Sequence, residues 1–203
     1  MLLITVDVVL GPLITFAVWN RNKPRAELVR DLTIVGTLQL TALAYGVHTA
    51  AQARPAVVAL EGARLSIVRP IDLADADLTR APPELRVLSL KGPRFVAARD
   101  PSAGEKLEAI DRALQGQDIG KRPDFWRPVA ETPSAYAKAA KPLAKLIQRR
   151  PAFTEQIQAA AAHTGRSVEQ LGYLPVLARR TDWSALIDLK DGSVVGYVPI
   201  EGF

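Results

Sequence analysis

The sequence predicts an α+β protein: an N-terminal transmembrane helical hairpin followed by a periplasmic α+β domain with a C-terminal antiparallel sheet. Three observations point there. Two apolar segments, 2–19 and 32–51, flank a short basic turn. The next stretch, from Arg54 onward, mixes strand-like and helix-like patterns. The last thirty or so residues carry alternating apolar runs, two of them joined by Asp191-Gly192, a strong hairpin signal.

A helix that spans a bilayer needs about 20 mostly apolar residues. The segment 32–51 meets that length with no Asp, Glu, Lys or Arg, and 2–19 holds a single charge, Asp7. The turn 20–31 carries Arg21, Lys23, Arg25 and Arg30 against Glu27 and Asp31. Lys and Arg favour the cytoplasmic side, so the turn is expected there and both chain ends outside, in the periplasm of a Gram-negative cell. Residues 1–53 are therefore expected to form the hairpin and 54–203 the periplasmic domain. Trp19 falls where an interfacial aromatic sits. An acid within a span faces protein or water, so Asp7 is expected either to bond Tyr45 or His48 at similar depth or to reach the outer interface. Gly11-Pro12 loosens the first helix, because proline lacks a donor and clashes one turn back. Ala42, Gly46 and Ala50, four residues apart, let another helix approach closely.

In the second part, Pro55 is expected to end the helix. AVVAL (56–60), RLSIV (64–68), RVLSL (86–90) and RFVAA (94–98) read as strands. Ser102 and Glu105 form a capping-box pattern ahead of a helix whose Leu107, Ile110 and Leu114 are expected to face the core. Phe125 and Trp126, among prolines, suggest an ordered loop with buried aromatics. A long helical region over 134–149 has Pro142 as a kink or restart, with Leu143, Leu146 and Ile147 inward. Lys138, Lys141, Lys145 and Arg149 line its other side as a solvated face. Two further helices follow, after Pro151 and after Ser167. The runs YLPVLARR, DWSALIDL and SVVGYVPI read as the terminal strands, with Trp183, Ala185, Ile187 and Leu189 on one face. Helices are expected on one side of that sheet.

Composition narrows the function. The chain has 203 residues, no cysteine, two histidines and a net charge of +5. Disulfides and thiolate metal sites are excluded, and His48 and His163 alone support no metal cluster. No G-x-S-x-G, Walker A or G-x-G-x-x-G motif occurs. Asp72, Asp75 and Asp77 read as an exposed turn. The basic residues are scattered, which argues against nucleic acid. The expectation is a protein that is not an enzyme, with no cofactor and no small-molecule substrate.

Particular residues add a resemblance. VDVVLGPLITFAVWN, KPRAELVRDLTIVGTLQLTALAYGVHTAAQARP, PPELRVLSLKGPRFVAARDP, LQGQDIGKRP and the closing LGYLPVLARRTDWSALIDLKDGSVVGYVPIEGF resemble the TfpX/TfpZ family of type IV pilin accessory proteins. The most specific marks are Asp7 to Pro12, Lys23-Pro24-Arg25, Asp182-Trp183 and Gly202-Phe203. The resemblance implies a non-enzymatic protein of the bacterial inner membrane that stabilises a type IV pilin or assists its assembly. It also implies a further apolar segment upstream of Asp7. Expected partners are then the pilin and the lipid bilayer. Asp7, Gly11, Pro12, Ala42, Gly46 and Ala50 are the candidate partner-binding residues, joined by the exposed edge of the C-terminal sheet. The competing expectation is a membrane-anchored periplasmic sensor or small-ligand-binding module, which a deep polar pocket would favour.

Overall fold

The structure, a computed structural model, describes residues 13, 24–73, 75–132, 134–177 and 183–203. Two compact units divide the chain, Met1–Gln52 and Ala53–Phe203.

The first unit contains helix α1, Arg25–Ala53, of 29 residues, none of them buried. It starts within the segment expected to be the turn. No helix among the described residues is long and apolar enough to cross a membrane. This corrects the predicted transmembrane hairpin. The physical reason is that freedom from charge is not apolarity. Residues 32–51 also carry Thr33, Thr37, Gln39, Thr41, His48 and Thr49. Four of these threonine hydroxyls donate back to the carbonyl one turn earlier, Thr33 to Val29, Thr37 to Thr33, Thr41 to Thr37 and Thr49 to Tyr45, at 2.7–2.9 Å. Apart from Leu13, the first apolar segment lies outside the described residues, and so do Asp7 and Trp19.

The second unit is built on one mixed sheet. Its strands are β1 (Val57–Glu61), β2 (Arg64–Val68), β3 (Arg94–Ala98), β4 (Trp126–Pro128), β5 (Lys141–Pro142), β6 (Leu171–Leu177), β7 (Trp183–Asp188) and β8 (Val194–Val198). The order is β4-β3-β1-β2-β6-β7-β8, with β5 beside β6. β1 and β2 form a hairpin whose turn uses Gly62 at φ 58°, a conformation that costs glycine little. β7 and β8 form another around Gly192, at φ 76°. Two joints are parallel: β1 with β3, and β2 with β6 through Leu65↔Val176 and Ser66↔Leu177. The expected C-terminal antiparallel sheet is thus corrected. β6, β7 and β8 do pair antiparallel, but as one flank of a sheet running through the whole unit.

β6 shows how a proline sits within such a sheet. Leu189 N donates to Gln170 O, so even-numbered residues of β6 direct their amides at β7. Odd-numbered ones face the other edge, where β5 pairs at Gly172–Tyr173 and β2 at Val176–Leu177. Pro175 falls between those pairings, where no donor is required.

Burial is continuous along β1, β6 and β7, and successive residues build cores on both faces. Val58, Leu60, Leu65, Ala97, Leu174, Val176, Ala185 and Ile187 share one face with Tyr136 of helix α4 (Ala135–Ala139). On the other face, Val57, Ala59, Val68 and Val96 pack with Ala81, Leu85 and Trp126. Beyond them Leu171, Tyr173, Leu186 and Val198 meet helices α5 (Leu143–Arg149) and α6 (Thr154–His163). Helices therefore cover both faces, not one. Parallel joints of this kind lie where a sheet is covered on each side. The remaining α2 (Asp75–Leu78) and α3 (Lys106–Leu114) are short.

Three local expectations have different outcomes. RVLSL (86–90) forms no strand; its Val87 and Leu90 are exposed. The helical region 134–149 restarts at Pro142 as expected, and α4 and α5 are separated because Lys141-Pro142 pairs with Tyr173 and Gly172 as β5. Gly172 is required there, since an added Cβ would meet the Ala140 Cβ at 2.7 Å and Leu189 Cδ2 at 2.8 Å. The loop before β4 is ordered as expected, with Phe125 and Trp126 fully buried and the Trp126 indole donating to Gly120 O at 2.8 Å.

The C-terminal residues close over the sheet. The Ser184 hydroxyl donates to Ile200 O (2.8 Å), and Arg149 Nη2 to Phe203 O (2.7 Å). Arg150 pairs with Glu201. Gly202 lies so near that an added Cβ would meet Ser184 Oγ at 2.5 Å and the Tyr173 ring at 3.1 Å.

The two buried tyrosines make a contrasting test. The Tyr136 hydroxyl donates to Val96 O at 2.8 Å, with Val58 O at 3.3 Å, whereas the Tyr173 hydroxyl is buried without a hydrogen-bond partner among the described residues. Tyr136→Phe is expected to lower unfolding free energy by about 1–2 kcal/mol, because strand carbonyls lose their donor. Tyr173→Phe is expected to be neutral or slightly stabilising, within about 0.5 kcal/mol. Urea denaturation of both variants measures the difference. By the same method, Gly202→Ala is expected to cost about 1–3 kcal/mol through overpacking.

Candidate partner-binding surfaces

Among the described residues no group of three or more His, Asp or Glu converges on a metal position. His48 and His163 are exposed on different helices. Asp72 is taken up by Arg69, whose Nε donates to it at 2.8 Å and whose proximity holds its carboxyl below the usual carboxylate range. A shallow pocket of about 210 Å³ is lined by Phe95, Val129, Tyr136, Gly192, Ser193 and Val194. Its walls are largely apolar, and its floor hydroxyl, Tyr136, is already committed to the sheet. Burial raises the Tyr136 pKa well above the ordinary phenol range, so it stays a donor. The surfaces that stand out are apolar faces turned to solvent.

The first is α1. Val29, Ile34, Leu38, Leu40, Leu43, Tyr45 and Val47 are all exposed. Of the sequence-picked residues, Ala42 and Ala50 are exposed and Gly46 is half-buried, with open space where a Cβ would stand. They lie along one line of the helix, as their four-residue spacing requires. Asp7, Gly11 and Pro12 lie outside the described residues. The exposed edge of the terminal sheet is β8, the last strand in the order. The basic stripe is divided: Lys138 lies on α4, Lys145 and Arg149 on α5, and Lys141 in β5 with its ammonium 6.0 Å from the Tyr173 ring centroid.

The second is α3, which faces opposite to expectation. Its side toward the sheet is charged. Arg99, just after β3, donates two bonds to Glu105, Nη1 to Oε2 at 2.8 Å and Nη2 to Oε1 at 2.7 Å. The expected capping box forms only in part: Ser102 N donates to Glu105 Oε2, but the Ser102 hydroxyl donates to the same oxygen instead of accepting from the Glu105 amide, which bonds Ser102 O, and Glu105 itself stands at the N-cap. Arg122 is buried, with Nη2 3.0 Å from Asp124 Oδ2 and 3.5 Å from Glu108 Oε1. The guanidinium carbons of Arg99 and Arg122 lie 4.3 and 4.4 Å from the centroid of the Phe125 ring. Ala109 is the buried residue of the helix. Leu107, Ile110 and Leu114 remain 81%, 60% and 84% exposed.

Periodicity placed these three leucine and isoleucine positions on one face but assigned that face to the core. The attached side is marked instead by Ala109 and by Glu105 and the exposed Glu108, whose arginine partners are 6 and 14 residues distant. That partnership between separated charges left no local signal. The short-range bond from Ser102 N to Glu105 was the one readable part of it.

The anchoring predicts an acid response. Hydrogen bonds from Arg99 and from Ser102 hold the Glu105 carboxyl far below the usual range in the folded state. The folded chain therefore binds fewer protons than the unfolded one below about pH 4.3. The stabilisation is complete above that pH and is lost as pH falls toward the depressed folded value. Thermal midpoints between pH 6 and pH 3 are expected to fall less steeply in Glu105→Gln than in the wild type.

The chain was compared with known proteins. It is 31% identical over 205 residues to the fimbrial assembly protein, serogroup I, of Dichelobacter nodosus, covering 100% of this chain and 79% of that protein. It is 31% identical over 201 residues to the serogroup E1 protein of the same organism, covering 98% and 78%. The protein of serogroups C1 and C2 aligns over 76 residues at 33% identity, 37% of this chain and 58% of its own length. No family model matches the chain, and no solved structure matches it. Identity at this level across the whole length supports a role in pilus assembly: this chain belongs to the family of fimbrial assembly proteins.

Proposed function

We propose that this protein binds a type IV pilin and stabilises it or assists its assembly, as an accessory factor of the TfpX/TfpZ kind. We locate this work at the bacterial inner membrane, with the compact unit in the periplasm. The observation that carries the reading is α1, a 29-residue helix with no buried residue and an array of exposed apolar side chains. Exposed apolar surface of that extent marks an interaction site. An elongated apolar helix is complemented by another, and Ala42, Gly46 and Ala50 permit a close approach. The role is one of binding without catalysis. The names of the relatives suit it, since assembly moves a subunit and makes no covalent change in it.

Two units on one chain give such a factor two weak contacts. Contact by α1 raises the effective concentration of the pilin at the compact unit, so neither contact need be strong. A factor that must release its cargo benefits from this division.

Gly46 has open space around its Cα, so Gly46→Leu fits the chain itself and improves helix propensity. The substitution is expected to reduce co-purification of the pilin about tenfold, as a bulky side chain holds the helices apart. Unchanged recovery would remove the Ala42/Gly46/Ala50 line from the interface.

A further inference from the structure

We propose that the loop 86–93, with Arg94 behind it, is a membrane-docking element that seats Val87 and Leu90 among the headgroups of an anionic lipid bilayer. The inference concerns lipid, goes beyond the binding of a subunit, and does not depend on it.

The loop is fastened to the compact unit. Leu85 is buried with Val57, Val68 and Trp126, and Leu88 packs against the same cluster. Carbonyls along the segment are tied down as well. Arg86 Nε donates to Ala81 O at 3.0 Å, Arg54 Nη2 to Ser89 O at 3.4 Å, and Arg94 Nη1 to Glu84 O. The Lys91 amide donates to Ser89 Oγ at 3.0 Å. So held, the chain still leaves Val87 77% and Leu90 82% exposed. Leu90, Lys91, Gly92, Pro93 and Arg94 are exposed in succession, which makes the stretch a knob and not a groove.

Charge identifies the occupant. Arg80, Arg86, Lys91 and Arg94 are exposed along this segment against one acid, Glu84. None of the four cations forms an ion pair among the described residues. A second copy of this chain is a poor occupant, because two such loops set cation against cation in parallel and antiparallel order alike. A knob with aliphatic tips and basic flanks suits the surface of a bilayer. The tips enter the boundary between headgroups and acyl chains while Arg and Lys stay at the lipid phosphates. Each cation adds its own attraction to an anionic surface. Nucleic acid shares the negative charge, but single strands are held by stacking on aromatic rings, and the loop has none.

The chain has no cysteine, so Leu90→Cys gives the full chain a single site for a polarity-sensitive fluorophore. On vesicles of phosphatidylglycerol and phosphatidylcholine in equal parts, its emission is expected to rise and shift to the blue. On phosphatidylcholine alone it is expected to stay unchanged, as is the same label at Gln158→Cys, exposed on α6, on either vesicle. Adding Arg86→Gln and Lys91→Gln is expected to raise the anionic lipid needed for half the response about thirtyfold, at unchanged melting. A label at position 90 that stays silent on anionic vesicles would overturn the inference, whether or not the protein sediments with them. An equal response on both vesicles would overturn the assignment of anionic headgroups. A response to purified pilin and none to vesicles would give the loop to a protein and overturn the lipid. Retention of pilin by the full chain is measured separately, so the proposed function can stand where this inference fails.

Discussion

β2 meets β6 in parallel through two residue pairs, and that joint makes one sheet of two halves. On one side lies the early hairpin with β3 and β4; on the other lies the terminal meander. Leu65 and Val176 stand opposite one another at the joint and share a core with Tyr136. Backbone pairing there is brief, so the shared core and not the ladder carries the connection. Everything else follows from this union. Both faces of a continuous sheet need cover, and α4 supplies one face while α5, α6 and the segment around Leu85 supply the other. With those faces filled, α3 has no apolar surface left to lean on and is attached by arginine–carboxylate bonds.

Much of this was legible in the sequence because it depends on neighbours along the chain. The β1–β2 hairpin forms where AVVAL and RLSIV flank Glu61-Gly62. The β7–β8 hairpin forms around Asp191-Gly192, with Ala185 and Ile187 on the expected face. The bond from Ser102 N to Glu105 and the buried Phe125-Trp126 loop belong to the same local class.

What was not legible depends on partners far apart. Nothing local distinguishes RVLSL from a strand; the chain instead covers that side of the sheet with Leu85 and Leu88 and leaves Val87 and Leu90 outside. Parallel pairing of residues 65–66 with 176–177 cannot be read from alternation, which reports a face and not a neighbour. The same limit misplaced α3: spacing found its seam, but Arg99 and Arg122 determined which way the seam points. For α1, counting charges overstated the apolarity of a segment rich in threonine. The surface now assigned to binding was thus partly in view, in Ala42, Gly46 and Ala50, and partly concealed, in Val87 and Leu90, as an expected strand.

These features describe a molecule with exposed apolar helix surface in both of its units and a sheet well packed on both faces. A pilus assembly factor needs that combination: a stable body, and faces that a subunit can occupy and leave. The most direct test is deletion of the gene with measurement of pilin transcript, pilin protein and surface pili in the same cells. The account predicts loss of surface pili, with less pilin protein or with pilin left unassembled, at unchanged transcript. Normal pili in the deletion strain would contradict it.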